Sequence, residues 1–282
     1  MAAGVFMKTD AERGKNSYPF PLSVQTVLPA DYPQNRSFQS ELKVLRQLGF
    51  EGVELNIAAP EKENIAAIRR FLDHYELRLT MFATGLTAKT RSLSLSSSDE
   101  QVRRKSIQQC KAMIDFVTGE DTGIIVGFLK GGPDGDTQGA HSRFSDSLGQ
   151  IAPHAAAKRV RVLIEATNRY ESAVANDLAA AVDLIKPWET PFLQVLPDTF
   201  HMNIEEAQGT AAALASWTGH YPSVHLSDNN RLFPGLGAID FKKILSTLKQ
   251  IGYTGTLAIE GNIRKSFIED IQASATFLAS LI

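Results

Sequence analysis

The chain has a single cysteine, Cys110, in 282 residues. That excludes an intrachain disulfide framework and gives no sign of an oxidising compartment, so a cytoplasmic location is the expectation. An excess of either charge is also missing: 29 Lys and Arg against 31 Asp and Glu leave a formal net charge of −2. No overall basic field advertises nucleic acid, and a small neutral or anionic metabolite is the expected partner. No uninterrupted apolar run is long enough to span a bilayer, which argues against membrane insertion. The opening "MAAGVFMKTDAERGKNS" has too short an apolar run for a signal peptide and soon turns charged. Residues 1–19 read as a flexible tail ahead of a catalytic domain over 20–282.

From there the sequence alternates β-rich runs with helical patterns, without a linker or low-complexity break. The eight strand candidates are "LSVQTVL", "GVELNI", "LRLTMFAT", "GIIVGFL", "RVLIEATN", "FLQVLPD", "SVHLSD" and "TLAIEG". Helical patterns open near Ser37, Glu61, Asp99, Ser142, Ala173, Ile204, Asp240 and Ser266. Consecutive βα units of this kind predict a single (β/α)₈ TIM barrel rather than two doubly wound domains. Two stretches, "TGLTAKTRSLSLSSS" and "KGGPDGDTQGAHS", read as long loops after the third and fourth strands, on the face where a barrel places its site. Cys110, in "QVRRKSIQQCKAMIDFV", reads as a packing residue. His74, His141, His154 and His220 lie in or beside helical patterns and read as surface or packing residues.

Strand parity locates the polar residues. The outer face of a barrel strand packs on helices and should be apolar, as Val162/Ile164, Leu193/Val195, Val224/Leu226 and Leu257/Ile259 are. The opposite parity then turns Glu165, Asp198, His225 and Glu260 inward, each near the C-terminal end of its strand. Three carboxylates converging on one spot repel one another unless a cation neutralises them. One divalent ion is the economical solution, and carboxylates with one imidazole suit Mn²⁺, Mg²⁺ or Co²⁺ better than structural zinc. In "PDTFHMNIEE", Asn203 is placed to cap a helix "IEEAQGTAAALASW", which leaves Asp198 and His201 without a helix-capping task. Glu54, in "GVELNI", is a further inward-facing candidate or a buried partner for a cation, and stays outside the core set.

"IEATNRYE", "PDTFHMNIEE", "VHLSDNNR" and "AIEGN" resemble the sugar phosphate isomerase/epimerase family with a xylose isomerase-like TIM barrel, and most closely its D-tagatose and D-psicose 3-epimerases. The resemblance implies a metal-dependent isomerase or epimerase of a ketose, free or phosphorylated. It implies that Glu165, Asp198, His225 and Glu260 hold the metal, with Mn²⁺ the foremost candidate, and that Glu165 and Glu260 also act as the acid/base pair. It assigns His201, Glu171 and Arg231 to the sugar, and a homo-oligomer, dimer or tetramer, as the assembly.

The chain departs from the family's "GPLY"-like stretch with "GFLKGGPDGD", where Lys130 beside Gly131 and Gly132 reads as a cation offered to a phosphorylated or acidic sugar. Aldose–ketose isomerisation and dehydration next to a carbonyl use the same site and stand as alternatives. An endonuclease IV-like hydrolase needs more histidine ligands and a basic groove, and a non-catalytic sugar-binding barrel has no need of two opposed carboxylates.

Overall fold

A computed structural model describes residues 18–282, so most of the predicted tail, residues 1–17, lies outside the described residues. Along the chain the elements are β1 (Leu22–Val27), α1 (Arg36–Gln47), β2 (Gly52–Asn56), α2 (Ile65–Asp73), β3 (Arg78–Ala83), α3 (Gly85–Arg91) and α4 (Glu100–Phe116). They continue with β4 (Gly123–Val126), α5 (Thr137–Lys158), β5 (Arg161–Glu165), α6 (Leu178–Ile185), β6 (Leu193–Leu196), α7 (Thr199–Glu205) and α8 (Thr210–Ser216). The last are β7 (Ser223–Leu226), α9 (Phe241–Gln250), β8 (Thr256–Ile259) and α10 (Phe267–Ala279). All eight predicted strands are present.

The strands pair in parallel in the order β6-β5-β4-β3-β2-β1-β8-β7. The seam between β6 and β7 is closed by a parallel bridge between Asp198 and His225, with the His225 N–H donating to Pro197 O at 2.8 Å. Two of the predicted site residues therefore lie on the seam that completes the TIM barrel. Outward-facing Val24, Val53, Leu55, Ile124, Val162, Ile164, Val195, Val224 and Ile259 are buried in one continuous core with the helices. Removing these branched side chains from water is what holds the helices on the sheet. Inside the barrel, Met81, Ala83, Ile125, Leu163 and Leu196 from β3 to β6 form a second, smaller apolar cluster. The remaining inner wall is polar: Ser23 and Thr80 share a hydrogen bond of 3.0 Å, and Glu54 and His225 share one of 2.8 Å. Tyr18 ties the start of the described chain to α10 by donating to Ala275 O.

Several helix starts differ from the sequence reading. The helix predicted from Ile204 is two helices, α7 and α8, separated around Gly209, whose φ of +83° lies in the left-handed region that glycine tolerates. Asn203 is inside α7, and the cap is Asp198, whose Oδ1 accepts from the N–H groups of Phe200 and His201 at 2.8 and 3.3 Å. Glu206 instead accepts from Leu178 N at 2.9 Å, at the start of α6. Half of the supposed loop after β3 is α3, and α5 begins at Thr137 because Asp136 caps it through Gly139 N. Cys110 is fully buried and burial pushes its thiol pKa up to about 12, which makes it an inert packing group.

Candidate metal centre

Glu165 ends β5, His225 lies in β7, Glu260 follows β8 directly, and Asp198 follows β6 after Pro197. Each offers one ligand atom, and the four atoms all lie within 4.8 Å of one another. The strand parity read from the sequence thus brings the four residues together at the mouth. Gly127, after β4, makes room for them: a Cβ there would collide with Glu165 Oε2.

Three buried atoms of the cluster, Glu165 Oε1, His225 Nδ1 and Glu260 Oε2, have no aligned hydrogen-bond partner. His225 Nδ1 is 2.6 Å from Glu260 Oε2, 3.7 Å from Glu165 Oε1 and 3.8 Å from Asp198 Oδ2. Buried polar atoms are normally satisfied, and three orphans facing one point are what a coordinated cation would explain. Hard oxygen donors with one imidazole fit a divalent metal ion.

Glu54 sets the orientation of this imidazole. Its Oε2 is 2.8 Å from His225 Nε2, and both side chains are fully buried. The carboxylate holds the far nitrogen and leaves Nδ1 as the ligand atom, the usual way a metal-binding histidine is fixed in tautomer and rotation. Burial disfavours charge on His225, but Glu54 and Glu260 outweigh it and hold its pKa well above the usual histidine range. Burial likewise opposes the charge on Glu260, and Arg231 and His225 reverse this, keeping it well below the usual carboxylate range. Without a cation, then, the carboxylates draw positive charge from His225 and Arg231. Glu54→Gln is expected to weaken divalent-ion affinity by about 10–100-fold while leaving the far-ultraviolet circular dichroism unchanged, as titration of the stripped protein with the ion would show.

His201 is buried at the start of α7. Its Nδ1 accepts from the backbone N–H of Asn168 at 3.2 Å and lies 2.7 Å from Asn168 Nδ2. A backbone N–H can only donate, so the proton of a neutral His201 sits on Nε2, which lies 3.9 Å from Glu165 Oε1. Asn168 was not singled out in the sequence. Its Oδ1 accepts from Tyr170 N at 3.0 Å, which turns its amide NH₂ toward His201 and toward Glu171 Oε1 at 3.2 Å. Glu171 is exposed on the same loop. Arg231 binds Asp198 Oδ2 at 2.6 Å and Glu260 Oε1 at 3.0 Å, with its guanidinium 5.0 Å above the Phe200 ring.

Lys130 is turned into the protein, against the expectation that it faces a sugar phosphate. It is fully buried, and its Nζ donates to Glu165 O, to Thr167 Oγ1 at 2.9 Å and to Ala175 O at 3.3 Å. Its three N–H donors are used inside the protein, so none is offered to a sugar phosphate. Burial pulls its pKa down to about 7, against the opposing pull of Glu165 and Glu171. Lys130→Met should therefore leave the ratio of activity on free and phosphorylated ketoses unchanged. It should cost about 1–3 kcal/mol of stability for the stranded acceptors, measured by urea unfolding.

Beside the cluster opens a cavity of about 390 Å³, lined among others by Glu260, Arg231, Gln25, Asn56 and the apolar Val27 and Phe267. Its size suits a small organic ligand. Among the described residues Arg231 and Glu260 are its only charged lining groups. No helix of the described residues is long and apolar enough to cross a membrane.

Residues 42–281 match the family model described as xylose isomerase-like TIM barrel. The D-psicose 3-epimerase of Enterocloster bolteae is 28% identical over 224 residues, covering 76% of this chain and 73% of that protein. The L-ribulose 3-epimerase of Mesorhizobium japonicum is 28% identical over 232 residues, covering 79% and 76%. Among solved structures, the apo 3-keto-D-glucoside 4-epimerase of E. coli superposes with a TM-score of 0.76 at 25% identity, covering 93% of this chain and 98% of that one.

Proposed function

Because the chain belongs to the xylose isomerase-like TIM barrel family, we propose that it is a metal-dependent sugar epimerase, moving a proton on the carbon next to the ketone of a ketose. The observation that carries this is the pair Glu165 and Glu260. They stand at the two ends of an arc of four consecutive strands, β5 to β8, each with an unpartnered buried oxygen in one ligand cluster. Two carboxylates set apart in this way can work on opposite faces of one carbon. The 3-epimerase names of the curated relatives support C3 as that carbon.

Glu165, Asp198, His225 and Glu260 would hold the ion, and Mn²⁺ fits this donor set best, with Mg²⁺ or Co²⁺ also suited. When bound it supplies Lewis-acid stabilisation of negative charge on neighbouring oxygens. One glutamate takes the C3 proton and the other delivers a proton to the opposite face. His201 donates from Nε2 to a sugar oxygen on which charge develops, and Arg231 orients the sugar beside it. Glu171, joined to His201 through Asn168, lies beside them as a further ligand for the sugar.

The substrate is uncharged. A phosphate of charge near −2 at pH 7 would enter a cavity whose one cationic lining group, Arg231, already serves Asp198 and Glu260. The test is product analysis by chromatography after incubation of the metal-loaded protein with free and phosphorylated ketoses. A mixture of C3 epimers from a free ketose is the expected product. Accumulation of an aldose would make the protein an aldose–ketose isomerase, and loss of water a dehydratase.

A further inference from the structure

The cavity next to Glu260 contains a side chain whose hydrogen-bonding direction is set from outside the site. The backbone N–H of Leu86 donates to Asn56 Oδ1 at 3.1 Å, and Asn56 Nδ2 in turn donates to Gln25 Oε1 at 2.6 Å. Because a backbone N–H cannot accept, each amide in this chain has only one consistent orientation. Gln25 must therefore present its NH₂ group, and Nε2 has no partner among the described residues. Gln25 lies on the inward parity of β1, in register with Glu54, and it lines the same cavity as Glu260 and Arg231. The same cavity is also lined by the apolar Val27, Phe233, Ile263 and Phe267 and by the polar Thr26 and Asn262.

We propose that Gln25 determines specificity, donating from Nε2 to an oxygen at the non-reacting end of the sugar, with Asn56 as the positioning residue that keeps it a donor. This rests on the reading of the site as a ketose epimerase. The ligand feature recognised is an acceptor, a hydroxyl or ring oxygen, in a hollow lined by both polar and apolar side chains. A pocket built to donate a hydrogen bond discriminates against an analogue lacking the acceptor, because its polar group is then left unpaired. Asn56 anchored to Leu86 also removes the alternative amide orientation, so no part of the binding energy is spent on choosing it.

The experiment is a steady-state comparison of the metal-loaded wild type with Gln25→Met, Gln25→Glu and Asn56→Asp. The substrates are one ketohexose and its deoxy analogues at C4, C5 and C6, and thermal melting confirms the fold of each variant. Gln25→Glu keeps the acceptor for Asn56, loses the donor and adds a negative charge, so agreement between it and Gln25→Met assigns the effect to the lost donor rather than to packing or charge alone. The expected result is a KM raised roughly tenfold in both Gln25 variants, with kcat within a few-fold of wild type. Asn56→Asp should give a smaller rise. One deoxy analogue should bind wild type and Gln25→Met equally, because the oxygen that Gln25 holds is absent from it. An unchanged KM in both Gln25 variants would overturn the proposal, as would a penalty of equal size on every analogue. If the wild type turned over no ketose at all, the reading of the site would fall and the proposal with it. Turnover by the wild type with indifferent Gln25 variants defeats the proposal alone.

Discussion

Glu165→Gln and Glu260→Gln should each abolish net epimerisation, with a loss of about 10²–10⁴-fold at saturating divalent ion, and the two should fail differently. If each glutamate serves one face of C3, losing one leaves its partner able to remove the proton of only one epimer. Glu165→Gln should then exchange solvent deuterium into one epimer of the pair and Glu260→Gln into the other, while neither variant interconverts them. The geometry supports the division of labour, since the two residues come from β5 and β8 with Asp198 and His225 between them. Gln preserves the shape of each side chain and one ligand oxygen, so the comparison isolates proton transfer from packing. Metal content should be measured in parallel, because a weaker ligand also lowers affinity.

Stripping the ion with a chelator should remove all turnover, and a divalent metal should restore it. The expectation comes from the three unpartnered buried atoms, Glu165 Oε1, His225 Nδ1 and Glu260 Oε2. In the stripped protein they crowd one another, and His225 and Arg231 take on the neutralising role. An ion that binds only the folded chain adds about 2.7 kcal/mol at a hundredfold excess over its Kd. For a chain of this size, that corresponds to a rise in Tm of roughly 5 °C. His225→Ala should lose that rise, which places the effect at this cluster rather than at surface carboxylates.

The sequence made the barrel and its four inward residues legible for one physical reason. A strand has a period of two, so burial of Val162 and Ile164 on the helices determines where Glu165 points. Helix starts were less legible because several capping residues compete in each loop. Asn203 and Asp198 both suit an N-cap, and the backbone turn that Asp198 makes at the end of β6 decides between them. Asp198 therefore has two tasks, one oxygen on the first turn of α7 and the other facing Arg231 and the cluster. Lys130 was misread because charge is visible in a sequence and burial is not. The acceptors that occupy it, Glu165 O, Thr167 and Ala175 O, lie 35, 37 and 45 residues away. Glu54 was visible as an inward residue, but its partner His225 is 171 residues distant, and only the closed barrel pairs them. Asn168 left one usable signal: it follows Glu165 at the end of a strand, a position where a buried amide has backbone and histidine to serve.

A cluster that moves a proton on the carbon next to a ketone exchanges that proton with solvent. The most direct measurement is proton NMR of a free ketose in D₂O with the metal-loaded protein. The C3–H signal is expected to disappear as deuterium enters, and to stay intact with the stripped protein. Persistence of the C3–H signal of every ketose tested, with the ion bound at Glu165, Asp198, His225 and Glu260, would contradict proton transfer by this cluster.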